Sequence, residues 1–333
     1  MEKREYSFDI LRTISMFMVI VVHVANVFSR SYGSISNTSY LYSLIYNAIS
    51  RISVPIFFMI SGSLLLDRKF EKNKFKKRIL KYLLLIFVWN TIYLVWEFLY
   101  LNIKYKNLYM LLIEPFRAHL WFLYSILTIY FFQPIVKKIL DKCNKKFKIL
   151  LLIFWIAISI ISFFNSKFSN MVSIFVYFGY FILGKYLYEF VKESKYIQKN
   201  KKKINILFIM LIIIIFLICV FLSYHYSLKF NVFYKSFFAF RSLFIIVPSI
   251  LFFVLVVLNF EKSKENKMLM FFSNLSLGVY LIHGIFLDII KTYINYDTNL
   301  LIAIPIYSTI IFILSIISTW FLMKFKIFRK ILR

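Results

Sequence analysis

The stretch RTISMFMVIVVH, residues 12–23, holds a guanidinium at one end and an imidazole at the other of an otherwise almost wholly apolar segment. In a helix the eleven steps from Arg12 to His23 turn the chain through ~1,100°, about 20° beyond three full turns. Both side chains therefore point the same way, ~16 Å apart along the axis. Asp9, three residues before Arg12, shares that face. The apolar run around this stretch covers 8–29, long enough to cross a bilayer, which takes about 20 residues. Ionisable groups are expensive inside a membrane and mark function there.

The pattern recurs along the whole chain. Hydrophobic residues make up 61% of 333 and the mean hydropathy is +0.77, where soluble domains run at roughly 45–50% apolar. Apolar runs near 8–29, 41–66, 79–103, 117–136, 148–164, 171–191, 204–224, 236–259, 269–290 and 301–323 predict about ten transmembrane helices. The expected fold is an all-α polytopic membrane protein, one domain over 1–333, with no soluble domain or internal repeat. No cleavable signal is expected, because the first run is too long, begins with Asp9 and Arg12, and lacks a small-residue cleavage site.

A net charge of +28 raises the possibility of a nucleic-acid partner, and its placement argues against one. Alternate gaps between spans hold DRKFEKNKFKKR (67–78), KKILDKCNKKFK (137–148), KESKYIQKNKKK (192–203) and EKSKENK (261–267). With both chain ends, that side carries 29 of the 42 basic residues, and the opposite gaps carry 8. Basic loops stay in the cytoplasm, so the topology reads N-in and C-in, and the charge is a topology signal. Cys143 lies in one of these loops and Cys219 toward the outer end of the seventh span, so no disulfide is expected.

Several polar residues fall inside the spans. Lys81, Lys185 and Glu189 lie near cytoplasmic ends, where their stems can reach the headgroups. Asp288 and Glu97 lie near outer ends. Arg51, near mid-span in YNAISRISVPIFF, must face protein or a wet cavity, with Glu97 or Asp9 as the expected partner. His23 lies ~22 Å from the cytoplasmic end of its helix and His283 ~21 Å from that of its own. Ser276, Tyr280 and His283 form a polar stripe at i, i+4, i+7. Arg241, in FFAFRSLF, comes to the same level of ~22 Å from the opposite direction. His119, in RAHLWFLYS, begins a span near the outer surface, and His225 falls in the outer gap after the seventh span. One such histidine alone would be read as a buried ring bonded to backbone. Three polar groups at one depth point instead to a site.

Imidazole suits general-base work, such as taking the proton of a hydroxyl whose oxygen attacks an activated acyl group. Ser61-Gly62 in PIFFMISGSLLL reads as a small-residue helix contact. No residues stand at metal-ligand spacing, so no metal is expected. Glycine-rich phosphate loops are absent from the sequence, so a phosphate-bearing cofactor would be held by Arg and Lys.

The residues also carry a resemblance. SFDILRTISMFMVIVVHV (7–24), VPIFFMISGSLLL (54–66), HLWFLYSILTIYFFQPIV (119–136) and SLGVYLIHG (276–284) follow in order. They resemble the first-helix Arg/His signature, the P-x-F-F-x-x-S-G segment, the H-x-W-F-L-Y…P helix and the late S-x-G-x-Y-x-x-H helix of the acyltransferase 3 family. Within that family the chain is most similar to surface-polysaccharide O-acetyltransferases. The resemblance implies acetyl-CoA as cytoplasmic donor and a hydroxyl of a polysaccharide or lipid-linked glycan as acceptor, at the cell membrane. It makes His23 the catalytic base and Arg12 a donor-side residue. Lys76, Lys77 and Arg78 are the nearest equivalent of the basic residues that family members carry after the second helix. His119 and His283 match by motif position. Together the two readings assign His23 and His283 to catalysis and Arg12, Asp9, Lys76, Lys77 and Arg78 to the donor. His119, Trp121, Tyr280, Arg51 and Arg241 are assigned to the acceptor.

Two other classes compete: a transporter or flippase for a lipid-linked or anionic substrate, and a non-catalytic membrane scaffold. Against the first, the chain shows no paired Gly or Pro interruption of corresponding spans. Against the second stands the aligned face of His23. The topology has a direct check. A reporter fused after residue 110 or 230 should be external and one fused after 74 or 198 cytoplasmic; a cytoplasmic signal at 230 overturns the orientation.

Overall fold

A computed structural model describes residues 5–100, 115–260, 266–296 and 298–332. The basic residues Lys3, Arg4, Lys104, Lys106, Lys262, Lys264 and Arg333, and the reporter position after 110, lie outside them. Among the described residues all regular structure is helical, and ten helical segments are long and apolar enough to cross a membrane. The chain is an all-α, multi-pass membrane protein.

Helix α1 spans Tyr6–Ser29. The second span is divided into α2 (Asn37–Ser50) and α3 (Ser53–Leu65). Then come α4 (Lys72–Tyr100), α5 (Trp121–Lys142), α6 (Lys145–Phe164) and α7 (Ser166–Glu193). A short α8 (Lys195–Lys199) leads into α9 (Lys201–Phe230), followed by α10 (Leu243–Phe260), α11 (Lys267–Lys291), α12 (Leu300–Leu322) and α13 (Lys326–Leu332). Single 3-10 turns, Ala118–Leu120 and Ser236–Phe238, precede α5 and α10. Helix starts are set by short polar side chains that accept from otherwise orphaned N–H groups. Ser36 accepts from Ser39 N, Asn144 from Phe147 N, Asn266 from Met268 N and Leu269 N, and Asn299 from Leu301 N. Helix α9 stops where Asn231 takes a left-handed conformation with φ 53°.

Two expectations are corrected. The second span is not one continuous helix: it breaks at Arg51 and Ile52. Pro55 explains the position, because a proline ring clashes with the carbonyl four residues earlier, which is that of Arg51. Ser53 Oγ donates to the Ser50 carbonyl at 2.8 Å across the break. His225 is not in a gap, because α9 continues past it to Phe230, leaving the ring exposed beside Phe221.

Helix α1 is the spine of the bundle, packed against α2, α3, α10, α11 and α12. The tightest crossing is that of α3 with α7. A Cβ on Gly62 would overlap the backbone carbonyl of Phe181, and one on Gly184 would overlap the backbone of Met59. This is the small-residue contact expected of Ser61-Gly62, where backbones approach too closely for any side chain. Outward faces of α6, α9 and α12 expose Phe154, Ile206, Phe221 and Ile302, as lipid-facing surfaces do. At the end that carries both termini, Lys192 bonds Glu5 at 2.8 Å and Lys185 bonds Asp67 at 2.5 Å. There α13 packs on α4 and α11, burying Ile331 and Leu332 in a cluster with Leu85, Ile86 and Trp89.

Gly62→Val should lower the thermal unfolding midpoint of the purified protein, by the equivalent of about 1–3 kcal/mol or more, since backbone rather than a side chain must move. Ile206→Val on the lipid face should leave the midpoint nearly unchanged. Equal midpoints for the two variants would mean that α3 and α7 do not cross at this glycine.

Candidate functional site

The polar face of α1 begins at the terminal end of the bundle. Asp9 is fully buried, accepts a hydrogen bond from Ser273 Oγ at 2.6 Å and lies 3.7 Å from the Arg12 guanidinium. The bond to Ser273 ties α1 to α11. Arg12 turns toward a cavity of about 300 Å³ between α1, α3, α4, α5 and α11. Its polar wall includes Arg12, Lys81, Ser61, Ser273, Ser276 and Tyr280, and its apolar wall includes Val19, Phe57, Phe122 and Leu332. Val19 stands one helical turn before His23, so the cavity ends ~6 Å short of that imidazole. A basin of about 530 Å³ lies at the 67–78 segment, lined by Arg68, Lys69, Lys74 and Arg78 together with Asp67 and Glu71.

Three histidines from three elements meet beyond the cavity. The ring centroids lie 5.1 Å apart for His23 and His283, 4.8 Å for His119 and His283, and 6.1 Å for His23 and His119. His119 sits on the 3-10 turn before α5, and the Tyr280 hydroxyl donates to its carbonyl. His283 Nδ1 lies 2.5 Å from the Tyr280 carbonyl. A carbonyl oxygen only accepts, so Nδ1 carries the proton and Nε2 of the neutral ring carries the lone pair. Neither His283 Nε2 nor His119 Nε2 has a partner among the described residues. Gly284 makes room for this group: a Cβ there would lie 2.7 Å from His119 Cε1 and from the Tyr93 hydroxyl. Among the described residues no group of three or more His, Cys, Asp or Glu is arranged to hold a metal ion.

An ionic clamp holds the far side of the cluster. Arg117, two residues before His119, bonds Glu97 Oε1 of α4 at 2.6 Å and Asp288 Oδ2 of α11. Trp96 Nε1 donates to Asp288 at 3.3 Å, and the Lys291 ammonium lies 3.3 Å from its other oxygen. Burial works against the Arg117 charge, but the two carboxylates outweigh it and hold its pKa above the usual value.

A second cavity of about 170 Å³ is lined by Arg51, Arg241, Tyr177 and Phe240. The Arg51 guanidinium lies 6.0 Å from the Phe240 ring, and Trp121 packs on Tyr177 and Phe240 at 5.1 and 5.6 Å. Arg51 does not pair with Glu97 or Asp9, which are taken by Arg117 and by Arg12 and Ser273. It donates to Asn47 at 2.8 Å and Asn26 at 3.1 Å. The break in the second span turns Arg51 toward α1, where Asn26 stands one turn beyond His23.

The structure thus sorts the expected residues into three places. Arg12 and Asp9 stand at the mouth of the first cavity, and His23, His119, His283 and Tyr280 gather beyond it. Arg51, Arg241 and Trp121 gather at the second cavity. Lys76 and Lys77 are exposed and line neither cavity nor basin, whereas Arg78 lines the basin and lies over Tyr130 at 5.4 Å. The helical phase explains this, since successive residues 76–78 face different directions. Lys81, read from sequence as a snorkelling residue, instead lines the first cavity, and its spacing of three from Arg78 was the available signal. Arg117, one of the eight basic residues counted in the outer gaps, carried no further signal in the sequence.

A family model described as an acyltransferase domain matches residues 5–324. No curated protein and no solved structure matches the chain.

Replacing Arg117 with Gln would leave Glu97 a buried, uncompensated carboxylate and Asp288 with only Lys291 and Trp96 as partners. That should cost about 3–5 kcal/mol of stability, read as a lowered unfolding midpoint. Glu97→Gln with Asp288→Asn in the same chain should recover much of the loss; no recovery would show that Arg117 acts through packing rather than charge.

Proposed function

The chain belongs to the acyltransferase 3 family, and from this we propose that it moves an acyl group, foremost acetyl, from acyl-CoA to a hydroxyl of a polysaccharide or lipid-linked glycan at the cell membrane. The observation that carries the reading is the shared face of α1, which sets the Arg12 cavity about one helical turn from the His23, His119 and His283 cluster. A chain-like thioester arm fits a narrow cavity with cations at one end and imidazoles past the other. Arg12 and Lys81 would meet its acidic part. Arg68, Lys69 and Arg78, around the basin, supply the cations that a nucleotide phosphate calls for, while Lys74 there pairs with Glu71 at 2.8 Å. The orientation that fits has the termini cytoplasmic, with the basic loops on the donor side.

The donor supplies an activated carbonyl with a thiolate leaving group. His23, neutral, takes the proton of the attacking hydroxyl as the new C–O bond forms, and returns it to sulfur as the C–S bond breaks. His283, its tautomer fixed through the Tyr280 carbonyl, offers Nε2 toward the same space and can share that proton. His119, held by the Arg117 clamp, orients the acceptor or the acyl oxygen. The broken second span is a feature of transporters as well. Here Pro55 accounts for it and the family is one of acyltransferases, so transport is not the favoured reading.

His23→Gln keeps hydrogen-bonding capacity but offers no base. It should reduce acyl transfer by about 10²–10⁴-fold while leaving acyl-CoA binding near normal. Near-normal turnover by this variant would move the base to His283 or His119. Arg12→Ala should weaken acyl-CoA binding even without acceptor; unchanged affinity would make Arg12 only the partner of Asp9.

A further inference from the structure

The second cavity has a charge problem that the first lacks. It brings two guanidiniums, those of Arg51 and Arg241, into about 170 Å³ walled otherwise by Tyr177, Phe238, Phe240 and small residues. None of its described lining residues is acidic. Arg51 spends its donors on the neutral amide oxygens of Asn47 and Asn26, which orient it without neutralising it. Arg241 makes no hydrogen bond or ion pair among the described residues, and its Nε is shielded from solvent without a partner. Arg30, at the end of α1, adds a third positive charge near Arg51. By contrast, the clamp of Arg117, Glu97 and Asp288 shows how this bundle treats an arginine it intends to neutralise. Cations within a membrane bundle carry a desolvation cost that pairing normally offsets. Two guanidiniums lining one cavity, each a planar fork of donors, match an oxyanion in charge and hydrogen-bonding capacity.

We propose that this cavity is an oxyanion site that holds the acceptor through a phosphate or carboxylate group, so that the acceptor is an anionic glycan or phosphate-linked glycan rather than a neutral sugar. This rests on the acyltransferase reading for the identity of the bound molecule as acceptor. The Trp121, Tyr177 and Phe240 rings beside the guanidiniums supply the apolar faces against which a sugar ring packs. The Arg51 link to Asn26 sets the anion about one helical turn beyond His23 on α1. A hydroxyl one sugar unit away would then stand at the imidazoles. The Arg51 and Arg241 pair would thus fix which hydroxyl is presented.

The test uses the purified full-length protein in micelles at constant ionic strength. Inorganic phosphate, glucuronate, glucose and chloride are titrated separately against the thermal unfolding midpoint. A saturable rise with phosphate or glucuronate, and none with glucose or chloride, is expected, and the stronger anion distinguishes a phosphate from a carboxylate acceptor. Arg241→Gln should weaken the apparent affinity by about tenfold or more, while Arg241→Lys, which keeps the charge, should recover part of it. Exposed Lys326→Gln should change nothing. An absent response to both oxyanions, or an undiminished one in Arg241→Gln, overturns the proposal. Acyl-CoA binding is measured on the same samples. If it persists while the oxyanion response is absent, only the oxyanion site falls. If acyl-CoA fails to bind while the oxyanion response stands, the donor reading falls, and the site remains as an anion site without its acyltransferase role.

Discussion

The bond set of Arg117 with Glu97 and Asp288 is the constraint on which the arrangement of the histidines depends. Glu97 belongs to α4, Asp288 to α11, and Arg117 to the segment leading into the His119 turn, so one guanidinium fastens three separate elements. Asp288 follows His283 by little more than one turn of α11. Fixing Asp288 against Arg117 therefore fixes the distance between two imidazoles. Glu97 and Asp288 are buried, so little water can absorb error in such a network, and each of these charges must find its partner inside the protein. Rigidity of the cluster is the consequence.

Helix α1 then acts as a common ruler. It carries Arg12 at one cavity, His23 in the cluster, and Asn26 in reach of Arg51 at the other cavity. Its own neighbours hold it in register: Ser273 grips Asp9 on one side, and Asn47 donates to Asn26 at 2.8 Å on another. Contacts to both cavities and to the histidine cluster are thus laid along one rigid axis.

Much of this was legible in the sequence because membrane helices announce themselves. All ten spans follow directly from runs of apolar residues, since a bilayer imposes both their length and their composition. The shared face of Asp9, Arg12 and His23 followed from helical arithmetic alone, as did the stripe of Ser276, Tyr280 and His283. What the periodicity could not supply was how helices face one another. The pairing of Arg51 with Asn26 and Asn47, and of Glu97 with Arg117, depends on rotations about helix axes that no single segment encodes. His119 was placed by depth near the outer surface, yet the 3-10 turn tucks it inward beside Gly284. The break at Arg51 was readable from Pro55, four residues on, and was passed over because the apolar run continued through it.

The last turn of α13 has a consequence for how the chain tolerates change. By local pattern KFKIFRKIL (324–332) is a basic, surface-lying helix whose composition matters more than its order. Leu332 nevertheless forms part of the wall that faces Arg12 and Lys81. One chamber is thus assembled from residues 12, 81 and 332, which lie far apart in the sequence. Drift at its far end reshapes the chamber as directly as drift at its start. A map of tolerated substitutions should show an island of intolerance at Ile331 and Leu332, set beside exposed tail positions such as Lys326 and Lys330 that accept replacement.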